Sequence, residues 1–355
     1  MGCTFRGIDN SKRVSNKLLF SDSRPSPVLG GQATDVNRVR YPCRSILTVK
    51  ALGKALDLEP ALLAGSAEHS SSEYRIAGRK KKPDGSIRLL WDARYPLKLI
   101  QTRIKEKLLD RVIFPAYMFG GIRGKSHISN ARSHSGAKLL IAEDVASYFP
   151  SITEAHVFSI WRHVFGFSKS VARTLTKLTT RGGELPQGAK TSPQLSNIAL
   201  WRVEPGLVQS LNRLGMRYSR FVDDISITSR RKHPLFVIQK ATRQVYGALY
   251  RAGFNPKFEK HEFSWRGRTM AVTKLNIDAK ISLPAARRKA LGQDARQLSA
   301  FAKAGNFNRT SMKLARSLST RAGVAKRFHP RLARKAKSIV QNFASRRHVT
   351  CTNVC

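Results

Sequence analysis

The sequence predicts an α+β fold, and three observations carry that prediction. Two stretches read as β-hairpins, one centred on an Asp-Gly turn and one on an adjacent pair of aspartates. The segments between them space their apolar residues as helices do, and the chain beyond Pro284 is Ala-rich and helical in flavour.

Taken in order, residues 1–43 are polar, with scattered Ser, Pro and Gly ("SDSRPSPVLGGQ"), and are expected to be loosely ordered. From Arg44, "RSILTVKALGKALDLEPALLAG" carries helix-spaced apolar residues and a glycine stop. The stretch "YRIAGRKKKPDGSIRLLWDARYPLKLIQTRIKEKLL" reads as strand, Asp-Gly turn, strand and amphipathic helix, with Leu97, Ile100, Ile104 and Leu108 on one face. An apolar strand in "AKLLIAEDVASYFPSIT" leads into an acidic loop, and "TSPQLSNIALWRVE" opens a helix with Ser192 as cap and Pro193 in its first turn. In "RYSRFVDDISITS", Ile225 and Ile227 alternate with Ser226 and Thr228, which places Asp223 and Asp224 at or next to a hairpin turn. From Pro284 onward, 17 Lys and Arg stand against one acidic residue, Asp294. This shift in composition sets a boundary near residue 283, and the expected organisation is 1–43, 44–138, 139–283 and 284–355.

Across its 355 residues the chain holds 65 Lys and Arg against 22 Asp and Glu, a net charge of +43, and 41% hydrophobic residues. That apolar content fits a folded protein, and its length suggests two or three subdomains. So large a positive excess repels itself unless it meets a polyanion, which makes nucleic acid the expected partner ahead of a membrane surface or the ribosome. The four cysteines (Cys3, Cys43, Cys351 and Cys355) match no zinc pattern and argue for no disulfide. No apolar run approaches the ~18 residues of a membrane span, and the N-terminus lacks an apolar signal core. The expectation is a soluble cytoplasmic protein with no membrane partner.

Against this basic background the acidic residues are informative. An Asp-Asp pair alone is ordinarily a solvated turn. Here a third carboxylate, Asp144, also ends an apolar strand, and two adjacent strands would bring it beside Asp223. Clustered carboxylates repel and call for a cation, and hard oxygen ligands select Mg²⁺. Two such ions ~3.5–4 Å apart activate an attacking hydroxyl and stabilise a leaving phosphate oxygen. Because neighbouring side chains on a strand point to opposite faces, Asp223 is expected to be the shared metal ligand and Asp224 a peripheral one or an orienter.

These residues carry a resemblance. "FVDD" on a hairpin looks like the two-aspartate palm motif of reverse transcriptases, "AEDVASYFPSI" resembles their first palm motif, and "LPQGAKTSPQLSN" is close to their Q-G-x-x-x-S-P motif. The likeness runs from about Arg44 to Pro330 with the motifs in the right order, and the nearest group is bacterial retron reverse transcriptases. "SNARSHS" contains that group's N-A-x-x-H element at Asn130, Ala131 and His134; its V-T-G element falls at Val272 and Thr273, with Lys274 in place of Gly.

The resemblance implies a right-hand polymerase of fingers, palm and thumb, with an antiparallel palm sheet and a basic helical thumb. It implies that Asp144, Asp223 and Asp224 are catalytic and hold two Mg²⁺ ions. Phe149 would exclude a ribose 2′-hydroxyl, and Gln187 and Gly188 would let the backbone approach the template–nucleotide pair. Arg88 and one lysine of the "RKKKPDGSIR" hairpin (Lys80, Lys81 or Lys82) would hold the triphosphate. Lys260, with Lys257 as a competitor, would protonate the pyrophosphate, and Asn130, His134, Val272 and Thr273 would contact RNA. The implied partners are a structured non-coding RNA serving as template and primer, its DNA product, dNTPs and an effector protein in anti-phage defence. Other retron-like defence enzymes, a group II intron-type enzyme, an RNA-dependent RNA polymerase and a non-catalytic RNA-binding protein are the alternative readings.

Overall fold

A computed structural model describes residues 37–81, 85–265 and 267–352. The expectations for residues 1–36, Lys82 and Cys355 lie outside the described residues.

Helix α1 (Val49–Leu56) begins where the Thr48 hydroxyl accepts from the Ala51 N–H at 3.1 Å, and ends at Asp57 with φ 55°. Helix α2 (Pro60–His69) then starts afresh. The helix-spaced apolar residues of this stretch therefore belong to two helices, because Pro60 lacks an N–H to continue the first but suits the opening turn of the second. Gly65 sits inside α2 and stops nothing.

Strands β1 (Tyr74–Lys81) and β2 (Ile87–Ala93) form the expected antiparallel hairpin, with Lys80 opposite Arg88. Helix α3 (Leu97–Lys107) buries Leu97, Ile100 and Ile104 in the core, and Leu108 just beyond it is buried too. Then follow β3 (Met118–Phe119), α4 (His127–Ser133), β4 (Leu139–Asp144), α5 (Tyr148–Ser151), α6 (Glu154–Ser159), α7 (Lys169–Thr179) and α8 (Ser192–Ile198). The cap position of α8 is Thr191 rather than Ser192, whose hydroxyl instead donates to the Pro186 carbonyl at 2.6 Å. Helix α9 (Glu204–Arg213) leads to β5 (Arg217–Phe221) and β6 (Asp224–Ser229), and α10 (Leu235–Arg251) to β7 (Glu262–Trp265), β8 (Ala271–Val272) and β9 (Leu275–Asn276). Three long helices close the chain: α11 (Ala285–Lys303), α12 (Arg309–Ala325) and α13 (Pro330–Thr352).

The central sheet has the order β3-β5-β6-β4-β7. Its pairs are antiparallel except β3–β5, which is parallel, so the sheet is mixed rather than purely antiparallel as expected. The long helical excursion between β3 and β5 removes the hairpin constraint that fixes an antiparallel pair. Both faces of the sheet are covered, which is why β4 opens on an unbroken apolar run (Leu139, Leu140, Ile141). One face joins α1–α3 and α7–α10 in the larger apolar core. On the other, Leu140 joins Ile128 and Ala131 of α4, β8–β9 and α11–α13 in a second core. Among the described residues no helix is long and apolar enough to cross a membrane.

Below the β5–β6 turn lies a fully buried ion pair. Arg220 Nε donates to Glu204 Oε1 at 2.6 Å and Nη2 to Oε2 at 2.8 Å, and both side chains are essentially without solvent exposure. Further donors of Arg220 reach the carbonyls of Asn197 at 2.7 Å and Val222 at 2.9 Å, and Tyr218 donates its hydroxyl to Glu204 at 2.8 Å. A buried guanidinium left without its carboxylate is an uncompensated charge. Glu204→Gln should therefore lower unfolding stability by roughly 3–5 kcal/mol. Urea titration monitored by circular dichroism measures this, and a loss below about 1 kcal/mol would remove the pair from that role.

Candidate active site at the β4–β6 junction

The antiparallel register of β4 and β6 sets Asp144 directly opposite Asp224. The β5–β6 turn is only two residues long, and its first residue, Val222, has φ 62°. A β-branched residue there is strained, since such turns favour glycine. Four contacts hold it: Arg220 Nη1 donates to the Val222 carbonyl, the Val222 N–H donates to Phe119 at 3.3 Å, the Val145 N–H donates to Asp223 at 3.3 Å, and Gly120 makes room. A Cβ on Gly120 would lie 2.7 Å from Val222 Cγ2. The turn thus brings Asp223 against the end of β4.

Asp223 lies in this turn, outside β6, so strand alternation does not rank the two aspartates as expected. It is Asp224 that faces Asp144 across the ladder.

The electrostatics are those of crowded carboxylates. Burial, followed by the Asp144 charge, raises Asp223, and the cations of Lys260 and Arg88 pull it back. Asp224 is raised to about 7 by burial of its carboxyl, by Asp223 and by a hydrogen bond shared with Asp144. Lys260 Nζ donates to Asp144 Oδ2, and this bond raises the ammonium against the opposing effect of burial. Among the described residues no trio of His, Cys, Asp or Glu is already closed around an ion, because Asp144 is turned to Lys260 and Asp224. The donor set nevertheless fits Mg²⁺: three hard carboxylates share one spot, and a divalent cation would offset the repulsion that adds to burial in raising two of them.

The neighbours of Lys260 explain its aim. Glu143, buried beside Asp144 in sequence, accepts from Tyr246 at 3.1 Å and bonds His261 Nδ1 at 2.7 Å. The Lys257 N–H donates to the Asp144 carbonyl at 2.7 Å. The 257–261 segment is therefore fastened to β4 on both sides of Lys260. Sequence reasoning missed Glu143, although an acid in the middle of a buried strand's alternation was a visible signal.

Arg88, exposed on β2, lies near enough to Asp223 for its charge to be felt there. Phe149 is half-buried, its ring 6.2 Å from Tyr148, whose hydroxyl donates to Ser196 at 2.6 Å. Gln187 and Gly188 meet β2: the Trp91 N–H donates to the Gln187 carbonyl at 2.8 Å, and a Cβ on Gly188 (φ 111°) would lie 2.6 Å from the Trp91 carbonyl oxygen. Gly188 thus permits a close approach to the β1–β2 hairpin. The guanidinium of Arg181 stacks 3.5 Å from the Trp91 ring and completes the junction.

The expected RNA-contact residues sit elsewhere than foreseen. His134 is buried, with Nδ1 2.6 Å from Thr228 Oγ1 and Nε2 2.6 Å from Ser219 Oγ, and Ser219 donates to Asn130 Oδ1 at 2.7 Å. Burial holds His134 near 4, and it is neutral at pH 7. Asn130 and His134 therefore fasten α4 to the sheet from inside. Val272 is buried in the second core. Thr273 (φ 46°) donates to the His127 carbonyl at 2.7 Å, and only Lys274 (φ 67°) is fully exposed at that turn.

Comparison with known proteins agrees with this geometry. Residues 80–293 match the family described as reverse transcriptase (RNA-dependent DNA polymerase). The chain is 28% identical over 225 residues to the retron Se72 reverse transcriptase of Salmonella heidelberg (strain 579083-10), covering 62% of this chain and 59% of the relative. It is 29% identical over 196 residues to the retron Ec48 reverse transcriptase of Escherichia coli, covering 52% and 48%. Over 263 residues it is 26% identical to the retron Mx162 reverse transcriptase of Myxococcus xanthus, covering 65% and 53%. The chain spans about half to three-fifths of the length of these relatives. Since the family match covers more than half of its 355 residues, the chain belongs to the reverse transcriptase family, and the relatives it is similar to are retron reverse transcriptases.

Proposed function

We propose that this protein is an RNA-directed DNA polymerase that copies a structured non-coding RNA, using the RNA itself as primer. The observation that carries the reading is the meeting of Asp144, Asp223 and Asp224 at one spot faced by Lys260 and Arg88. We assign residues 44–138 to N-terminal helices and fingers, 139–283 to the palm and 284–355 to the thumb.

In this reading the three carboxylates hold two Mg²⁺ ions, which when bound activate the primer hydroxyl and neutralise the leaving phosphate oxygen. Arg88 and Lys80 or Lys81, side by side on the β1–β2 hairpin, grip the triphosphate. Lys260, held beside Asp144 and kept protonated by it, gives a proton to the departing pyrophosphate. Phe149 lies close after the strand that ends in Asp144, placed to close the space a ribose 2′-hydroxyl would need. The Trp91–Gln187 bond ties the hairpin to the loop before α8, so the phosphate grip keeps its distance from the carboxylates. The 17-to-1 basic excess beyond residue 283 supports a thumb that holds duplex backbone through phosphates. The retron relatives favour a role with an effector in anti-phage defence, and a cytoplasmic location goes with that role.

Asp223→Asn should cut DNA synthesis on the order of a thousandfold while leaving RNA affinity nearly intact. Primer extension beside a filter-binding assay measures both, and joint loss would make the residue structural. Phe149→Ala should shift the dNTP-over-NTP preference in kcat/KM by roughly ten- to a hundredfold toward ribonucleotides. Unchanged sugar discrimination in single-nucleotide incorporation would reject the gate.

A further inference from the structure

β7 is the edge strand of the central sheet, paired only with β4. A run of rings follows it, entering from α10 and the 258–261 segment. Phe258 lies 5.4 Å from Tyr246, Tyr246 6.5 Å from His261, His261 6.4 Å from Phe263, and Phe263 5.4 Å from Trp265. Arg268 caps the run, 5.8 Å from the Trp265 ring. Register explains the alignment. Phe263 stands opposite Ile141 and Trp265 opposite Leu139, while His261 reaches Glu143, so all three follow one face of β4. Glu262 and Ser264 fall on the other face and bond each other at 3.3 Å, which removes that acid from the rings.

The run is neither core nor scattered surface. Phe258, Phe263 and Trp265 are 57%, 36% and 49% exposed. Single exposed rings need no explanation, but a connected series of five does. Each ring is braced by the next, so little side-chain entropy is lost when something stacks on them.

We propose that this edge is a stacking track for the bases of an unpaired nucleic acid strand, running along β7 on the face of the sheet opposite Asp144. Three observations select that occupant. The chain carries a net charge of +43 and an arginine at the end of the run, complementary to a polyanion. The run passes through His261, the residue after Lys260, on the face of β4 opposite Asp144. Strand addition by a protein partner would saturate the backbone of a four-residue edge but leave the rings, which lie on the sheet's face, uncovered. Bases, in contrast, offer a π-face to every ring irrespective of sequence.

The inference takes its partner class from the polymerase reading but does not need catalysis, and the test separates the two. The full chain carrying Phe263→Ala and Trp265→Ala is compared with wild type for binding a fluorescein-labelled oligothymidylate by anisotropy. The double variant should bind about tenfold or more weakly, and Trp265→Phe should retain most of the affinity. Extension of a short primed duplex by a single nucleotide over a one-nucleotide template overhang should be unchanged in both. Equal oligothymidylate affinity in all three proteins overturns the track. So does an equal loss of short-duplex extension, which would place the rings in the fold of the active site. A β7-dependent dimer by sedimentation velocity, with nucleotide affinity unaltered, would give the edge to a second copy of the chain. Tight oligothymidylate binding by a wild-type protein that cannot extend any primer would overturn the polymerase reading and leave the track standing.

Discussion

The arrangement at the β4–β6 junction depends on one buried guanidinium. Arg220 holds the carbonyl of Val222, the residue whose left-handed backbone makes the two-residue turn possible, and Glu204 holds Arg220. A strained turn persists only where its surroundings over-determine it. Here they do so from below through Arg220, from the side through Phe119, and from above through Val145. Asp223 is placed by that turn and Asp224 by the first position of the strand that leaves it.

The basic chain and its acidic spot are two halves of one design. In the proposed reading the net charge of +43 draws in a polyanion, while the carboxylates concentrate negative potential where phosphate would be attacked. Burial first, and then mutual repulsion, keep Asp223 and Asp224 raised, and the Lys260 ammonium offsets part of this. Glu143 contributes from the opposite face of the same strand. It takes no part in the cluster, but with His261 and Tyr246 it fastens the segment that aims Lys260.

Much of this was legible in the chain. The carboxylate site could be read because Asp144 ends one apolar strand while Asp223 and Asp224 sit at the turn into an alternating one, a signal that local pattern makes visible. The Asp-Gly hairpin and the Leu97–Leu108 stripe were equally local, and both were found where expected. What escaped was settled by distant partners. No sequence window shows that the space beside Gly188 is filled by the Trp91 peptide, or that Glu204 neutralises Arg220 beneath the turn. The parallel β3–β5 pairing likewise follows from the path of the intervening chain. Asn130 and His134 carry a recognisable motif, yet their hydroxyl partners on β5 and β6 draw them inside. A motif fixes which residues matter more readily than what they touch.

The central claim is that Asp144, Asp223 and Asp224 share divalent ions, and calorimetric titration of Mg²⁺ into the protein holding primed RNA and a non-reactive dNTP analogue tests it most directly. The account predicts about two ions bound per chain, with saturable binding lost or halved in the Asp144→Asn protein. Identical stoichiometry and affinity in the two proteins would contradict it.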